Sequence, residues 1–340
     1  MRKVLLVGSV GYEEAETVFN RLAETIAACT PRFTDGEIPP RNRWMMWQRD
    51  VFDRSPSFEL DSAEEVLLGG EQVLLEKFRI REGQKHQSVQ VGELGYAREA
   101  VKSFAVFSRL RDQGIIPPGI RFQMSLPSAV AVCSVLIAPR DQALVESWYE
   151  AALEREVAEM LEHIPASDFA VQWDICQEVL AIEGAWQVCY EDLTTGAIER
   201  LHRLSAMVPE PCELGFHLCY GDPGHKHIKE PENLAVCVAL ANGVCKGNSR
   251  SVNWIHMPVP RDRNDDEYFV PLRDLDLASA TELYLGLVHL SDGIAGAQRR
   301  IETAQCHIPD FGIATECGFG RRPLETIPDL LQLHAEVAAL

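Results

Sequence analysis

The sequence lacks the features that would place it in several common classes of protein. The apolar run that follows Arg2-Lys3 ends by Ser9, far short of the ~20 residues that a membrane-spanning helix needs. A G-x-S-x-G elbow, a P-loop and a dinucleotide-binding fingerprint are all missing. These absences argue against a serine hydrolase, a nucleotide hydrolase and a Rossmann dehydrogenase.

Positive charge is also scarce. The chain has 32 Lys and Arg against 51 Asp and Glu, a formal net charge of -19. Nucleic acid or an anionic membrane would be repelled by such a surface, so neither is expected as a partner. A small molecule or another protein fits better, and the oligomeric state stays open.

The ten cysteines are scattered through apolar segments of a 340-residue chain, and the sequence shows no secretory leader. This distribution predicts reduced thiols in a cytoplasmic protein, not a disulfide framework. A lone buried cysteine is usually a small apolar core residue. Most of these cysteines are therefore expected to pack in the core.

Short apolar, β-branched runs alternate with amphipathic segments along the chain. Eight such runs predict strands at residues 3–9, 32–37, 122–128, 169–175, 212–219, 251–259, 282–290 and 312–318. Eight strands with intervening helices indicate an α/β fold, a single (β/α)8 TIM barrel spanning residues 1–340. The long gap at residues 38–121 predicts an insertion after the second strand, made of a loop, a short hairpin and a helix at the barrel mouth.

A metal site is predicted from two distant segments that each end an apolar run. His217 and Cys219 are spaced i, i+2, so on a strand their side chains leave the same face. Cys317, at the end of a later strand, supplies a third ligand. One imidazole and two thiolates suit zinc, and three protein ligands leave a position open for a substrate.

Other polar residues close predicted strands, where barrel enzymes carry their chemistry. Asp174 ends a buried strand and is either a substrate-binding or ligand residue or a helix N-cap. His256 and His289 are either ligands or hydrogen-bonded rim histidines. His225-Lys226-His227 lies near Gly and Pro and predicts a solvated loop.

Several segments, in the same order, resemble the C-terminal catalytic barrel of cobalamin-independent methionine synthase and its short stand-alone relatives. The most specific match is His217-Leu218-Cys219-Tyr220 to the family's H-M-C-Y zinc strand, with Thr315-Glu316-Cys317-Gly318 matching its P-D-C-G segment. The resemblance extends over the whole chain through three further segments: Val7-Gly8-Ser9, Asp35-Gly36-Glu37 followed by Arg41-Asn42, and Val171-Gln172-Trp173-Asp174.

The resemblance implies a zinc-dependent methyltransferase that activates a homocysteine-like thiol, as in methionine biosynthesis. Zinc would be held by His217, Cys219 and Cys317. The amino-acid part of the thiol substrate would be held by three residues: Ser9, Glu37 and Asp174.

The sequence departs from the family at three places that affect these roles. His256 stands where the family has its zinc-binding Glu, so either His256 is a fourth ligand or the site has three protein ligands. The family's D-I-H-S segment corresponds to Val288-His289-Leu290-Ser291, which makes His289 the candidate general acid. Met124 and Val130 flank the segment where the family carries the aromatic residue that stacks on the pterin.

These departures leave the alkyl donor open between a folate and another carrier. The N-terminal half of full-length methionine synthases has no counterpart in this sequence, which makes a corrinoid protein one candidate donor. Two other functions stay open: a thiol-epoxide transferase or lyase of the coenzyme M type, and a metal-free porphyrinogen-decarboxylase-like or small-molecule-binding barrel.

Overall fold

The computed structural model describes residues 1–68, 70–85 and 89–340. Its strands form two sheets. The strands are β1 Arg32–Thr34, β2 Phe58–Leu68, β3 Glu71–Ile80, β4 Arg121–Pro127, β5 Phe169–Ile175, β6 Glu213–Leu218, β7 Trp254–Pro258, β8 Glu282–Gly286 and β9 Gly312–Ile313. Seven parallel strands form the main sheet in the order β1, β4, β5, β6, β7, β8, β9, and β2 and β3 form an antiparallel hairpin.

Helices lie between the strands of the main sheet, as the amphipathic segments predict. They are α1 Ala15–Thr25, α2 Arg49–Arg54, α3 Tyr96–Asp112, α4 Ala129–Leu136, α5 Gln142–His163, α6 Gln177–Ile182, α7 Leu193–Ala206, α8 Ala235–Cys245, α9 Asp266–Phe269, α10 Gly293–Gln305 and α11 Ile327–Ala338. None of the helices in the described part of the chain is long and apolar enough to cross a membrane.

Aromatic side chains fill the layer between the sheet and the helices. Phe33, Phe122 and Phe169 pair in register across β1, β4 and β5 and so project from one face. The Phe122 ring lies 6.3 Å from Phe19 of α1 and 5.7 Å from Phe107 of α3, measured between ring centroids. Burial of these apolar rings holds the helices against the sheet.

The opposite face of the sheet is polar and curls around its own side chains. Arg32 of β1 donates hydrogen bonds to Glu213 of β6 at 2.5 Å and to Glu282 of β8 at 2.9 Å. Its guanidinium also lies over the Trp254 ring of β7, 4.1 Å from the centroid. Strands far apart in the sheet order meet at one side chain, so the sheet is curled, as in a TIM-like barrel.

The first predicted strand, residues 3–9, is not a regular strand in the structure. It has one isolated parallel bridge, Val4 with Ile313 of β9. The Val4 N–H donates to the carbonyl of Cys29, beyond the end of α1, and not to β1. Seven parallel strands are therefore established, and an eighth strand that closes the barrel stays a prediction.

Residues between β1 and β4 form α2, the β2–β3 hairpin and α3. The hairpin strands are 11 and 10 residues long, longer than the short hairpin predicted from the sequence. β3 docks on the domain through a bridge between Phe78 and Ile137. Residue 69 and residues 86–88 of the predicted insertion lie outside the described residues, and the division of the chain at residues 38–121 stays a prediction.

We predict that Gly215→Ala destabilises the fold by about 2–3 kcal/mol, measured as the free energy of unfolding in urea. The added methyl group would lie 1.8 Å from the Trp254 ring, and overpacking a filled interior costs about 1–3 kcal/mol. Gly92→Ala is the matched control, because no described atom lies within 4 Å of its added carbon. Equal stability of the two variants would contradict the packing described here.

Candidate metal centre and substrate recess

The carboxyl-terminal ends of β5, β6 and β7 place three polar side chains in one row. Asp174 pairs with His217, and His217 pairs with His256, in the parallel register. Residues paired in this way project from the same face of the sheet. All three are buried, so the register alone concentrates a carboxyl group and two imidazoles in the curled interior.

His217, Cys219 and Cys317 lie together, as the spacing in the sequence predicts. Their possible ligand atoms are all within 4.8 Å of one another, and the two sulfurs are 4.0 Å apart. Cys219 follows β6 directly, and its N–H donates to the Ile175 carbonyl of β5 at 2.9 Å. Cys317 comes from the segment after β9. One imidazole nitrogen and two thiols form a donor set typical of zinc.

Of the two ring nitrogens of His217, only one has a hydrogen-bond partner among the described residues. Its Nδ1 lies 2.7 Å from Nδ1 of His256. Its Nε2 is buried and has no hydrogen-bond partner within the described part of the chain. Burial, reinforced by His256, holds the pKa of His217 well below its usual value, so the ring is neutral and carries a lone pair.

His256, the candidate fourth ligand, has protein contacts on both ring nitrogens. Nδ1 faces His217, and Nε2 lies 3.0 Å from the carbonyl oxygen of Thr315. Burial lowers the pKa of His256 to about 3. The side chain is outside the three-residue ligand group, and its role as a metal ligand stays a prediction.

A third thiol lies beside Cys219. Ile175 pairs with Leu218, which makes Cys176 and Cys219 the next neighbours across β5 and β6, and both belong to one small apolar cluster. Hydrogen bonding with Cys176 raises the pKa of Cys219 well above its usual value, and contact with Cys219 does the same for Cys317. Both thiols are therefore protonated at neutral pH unless a cation is nearby.

Ser9 and Glu37 line a recess next to this group. The N–H groups of Phe319 and Gly320 donate to the carbonyl and hydroxyl of Ser9 at 2.8 and 3.2 Å. Gly8 leaves room for the Glu37 carboxyl group, since an added carbon there would lie 2.0 Å from its Oε1. A cavity of about 110 Å³ is lined by Ser9, Glu37, Tyr12, Asn42 and Gly320, among others.

Asp174 faces the same region from β5. Its carboxyl group accepts hydrogen bonds from Trp44 Nε1 at 3.1 Å and from Gln172 Nε2 at 2.9 Å. The helix that follows β5 has Cys176 at its N-cap. The alternative interpretation of Asp174 as a helix N-cap is therefore wrong.

Burial of the carboxyl groups outweighs the positive charges that act on the recess, which include those of Arg41 and Arg321. Burial raises the pKa of Glu37 to about 7, although Arg41 acts in the opposite direction. Arg41 is already bound to Asp35 in a buried ion pair. Burial, reinforced by the Glu37 charge, raises the pKa of Asp174 well above its usual value. A cationic group of a ligand would stabilise both carboxylates.

His289, the candidate general acid, lies in a chain of polar contacts beside Cys317. Its Nε2 lies 2.9 Å from the Val259 carbonyl oxygen, and its Nδ1 is 3.5 Å from one oxygen of Glu316. The other Glu316 oxygen is 3.4 Å from His227 Nε2. Burial lowers the pKa of His289 to about 3 and raises that of Glu316 to about 7.

Two of these neighbours were not predicted from the sequence. The side chain of His227 is only 4% exposed, so its assignment to a solvated loop is wrong. Cys176 was not a candidate either. Its position is apparent only from the alignment of β5 with β6. Asp174 pairs with His217, and Cys176 and Cys219 each come two residues after these partners.

Comparison by sequence alone finds no match to a known protein family or to a curated protein. Comparison of structures does find matches. A B12-independent methionine synthase from Shewanella sp. W3-18-1, in complex with selenomethionine, aligns with a TM-score of 0.64 and 13% identity over 99% of this chain and 96% of that one.

Two further structures align over nearly their full length. A putative vitamin-B12 independent methionine synthase from Listeria monocytogenes gives a TM-score of 0.57 at 12% identity, covering 99% of both chains. A methyltransferase from Methanosarcina mazei gives 0.54 at 12% identity, covering 98% of this chain and 94% of that one. At this low identity the likeness shows a shared fold: this chain has the fold of methionine-synthase-like methyltransferases.

Proposed function

We propose that this protein is a zinc-dependent transferase that moves an alkyl group, methyl in the simplest case, to the sulfur of a small amino-acid thiol such as homocysteine. The observation that supports this most strongly is the buried Nε2 of His217, which lacks a partner among the described residues, in a ring that offers a nitrogen within 4.8 Å of two thiols. Leaving such a nitrogen unsatisfied costs about 1–3 kcal/mol unless a ligand uses it.

The donor set fits zinc. His217, Cys219 and Cys317 would hold the ion, and three protein ligands would leave one position for the substrate sulfur. Zinc bound there would supply the positive charge that lowers the pKa of thiols. Arg321, whose Nη2 lies 3.9 Å from Cys317 Sγ, acts in the same direction, but the pKa values of Cys219 and Cys317 stay raised.

The recess would orient the amino-acid part of the substrate. Glu37 and Asp174 are carboxyl groups whose pKa values are raised by burial, and an ammonium group would stabilise their ionised forms. Ser9 offers its hydroxyl at the same place. The selenomethionine bound by the Shewanella methionine synthase has such an ammonium group beside a methylated chalcogen, which supports this type of ligand.

A proton for the departing group would come from the contact between His289 and Glu316. Their facing atoms are 3.5 Å apart. Glu316 keeps its proton up to about neutral pH because burial raises its pKa to about 7. We assign the pair, and not His289 alone, as the proton-donating unit.

We predict that the purified protein binds close to one zinc ion per chain under non-chelating conditions. Cys219→Ser and Cys317→Ser should each weaken zinc binding by at least about tenfold, since each removes one of three ligands. Cys29→Ser is the matched control: its thiol donates to the Ile26 carbonyl, 3.3 Å away, and is not part of the three-residue ligand group. Metal analysis and chelator competition measure the effect, and a zinc-free wild type would favour a metal-free function on this barrel.

We predict that L-methionine, used as a ligand without an ionisable thiol, binds more tightly as the pH rises from about 5.5 to 7.5. Glu37 is largely protonated below its pKa of about 7 and becomes able to pair with an ammonium group only as it ionises. Affinity should rise by up to about tenfold per pH unit in that range, and Glu37→Gln should flatten the rise.

Calorimetry on the metal-free protein measures this dependence without any contribution from metal coordination. The exposed Glu14→Gln is the control variant and should keep the wild-type pH profile. Methionine affinity that is independent of pH, or that falls as the pH rises, would contradict an ammonium site at Glu37.

We predict that the zinc-loaded protein converts homocysteine to methionine when the correct donor is present. Methyl-tetrahydrofolate, methylcobalamin and a methylated corrinoid protein are the donors to compare by mass spectrometry of the product. Formation of methionine from one of them identifies the donor. Zinc binding without methylation by any of the three, but with adduct formation from an epoxide, would instead favour the thiol-epoxide transferase.

A further inference from the structure

The two imidazoles of His217 and His256 and one backbone carbonyl form a single chain of hydrogen bonds. The carbonyl oxygen of Thr315 can only accept a hydrogen bond, and it lies 3.0 Å from Nε2 of His256. Nε2 of His256 must therefore carry a proton. The proton on this ring is assigned by its partner, because a carbonyl leaves only one possibility.

His256 carries only that one proton. The residue is fully buried, at 0% exposure, and no ion pair of the described residues includes it or His217. A buried imidazolium without a counter-ion is costly. Neutral His256 protonated on Nε2 has a bare Nδ1, which accepts a hydrogen bond.

The proton of His217 is fixed in turn. Nδ1 of His217 lies 2.7 Å from the bare Nδ1 of His256, so it must be the donor. Neutral His217 has no second proton, and its Nε2 is left with a lone pair directed away from His256. The opposite tautomer would lose this bond and bury an N–H group that has no acceptor within the described residues, at a cost of about 1–3 kcal/mol.

We infer that His256 is not a metal ligand but a positioning residue, which fixes His217 in the tautomer that presents Nε2 to the metal. This inference rests on the proposed metal site and gives it three protein ligands. Metal-binding histidines commonly donate their second N–H to an acceptor, and loss of that acceptor typically costs about 10–100-fold in metal affinity.

The same chain of bonds also connects two ligands that are far apart in the sequence, His217 on β6 and Cys317 in the segment after β9. Thr315, which anchors His256, is two residues before Cys317, and its hydroxyl donates to the Cys317 carbonyl at 2.6 Å. The segment that carries the third ligand thus also anchors the first. In this arrangement His256 does not coordinate the metal. It holds the His217 ring in place relative to the segment that carries Cys317.

Two substitutions of His256 separate positioning from coordination. His256→Gln keeps both contacts, because its amide oxygen accepts from His217 and its amide nitrogen donates to Thr315. His256→Phe fills a similar volume and keeps neither. We expect zinc affinity to fall about 10–100-fold in His256→Phe and by no more than about fivefold in His256→Gln, measured by competition with a chelator.

X-ray absorption of the zinc-loaded wild type should show one imidazole and two sulfur ligands from the protein. Two imidazoles, or equal loss of zinc affinity in the Gln and Phe variants, would overturn the inference and leave the proposed function standing. The wild-type spectrum needs no variant, so it decides the matter even where His256→Phe does not fold.

Nitrogen-15 NMR of the metal-free wild type tests the tautomers without any metal. We expect protonated Nδ1 and bare Nε2 in His217, and the reverse in His256. A His217 protonated on Nε2 would overturn the inference. A wild type that shows the expected tautomers but binds no zinc would instead contradict the proposed metal site, and with it the role of His256 toward the metal.

Discussion

The parallel register of β5, β6 and β7 is the constraint on which the site depends. Pairing of Asp174 with His217, and of His217 with His256, forces three polar side chains into one row of the curled interior. A slip of one residue would turn each of them outward. The next row toward the amino-terminal ends contains Gly215 and Trp254, and the missing side chain of the glycine accommodates the indole. The strand register and the packing of Trp254 against Gly215 thus fix the position of the polar row in the curled interior.

A polar interior is stable only when its groups find partners. At the amino-terminal ends of the strands this holds: Arg32 is shared by Glu213 and Glu282. At the carboxyl-terminal ends it holds only in part: Asp174 accepts hydrogen bonds from Trp44 and Gln172, whereas Nε2 of His217 has no partner in the described residues. This difference is typical of barrels in which one end stabilises the fold, and it agrees with the placement of the proposed site at the other end.

The sequence predicted features that depend on neighbours along the chain. The i, i+2 spacing of His217 and Cys219 and the apolar runs around β4 to β8 are of this kind. Features that depend on alignment between strands were missed. Cys176 is adjacent to Cys219 only through the register. His227 is buried because the loop after β6 folds back, with the Ile228 N–H donating to the Tyr220 carbonyl. The first segment has strand-like composition but makes a single bridge, because the Val4 N–H is used by Cys29.

The candidate metal centre and the substrate recess have one electrostatic property in common. The sulfur side has thiols whose pKa values are raised, and the recess has carboxyl groups whose pKa values are raised. Both shifts favour the neutral forms, so each side gains from a positive charge. A metal ion supplies that charge to the thiols, and an ammonium group supplies it to the carboxylates. In the proposed function, a small thiol that carries an amine, bound with zinc, would meet both needs at once, whereas a thiol without an amine would bring no positive charge to Glu37 and Asp174. These charges support an amino-acid thiol, and not a simple thiol, as the substrate of the proposed function.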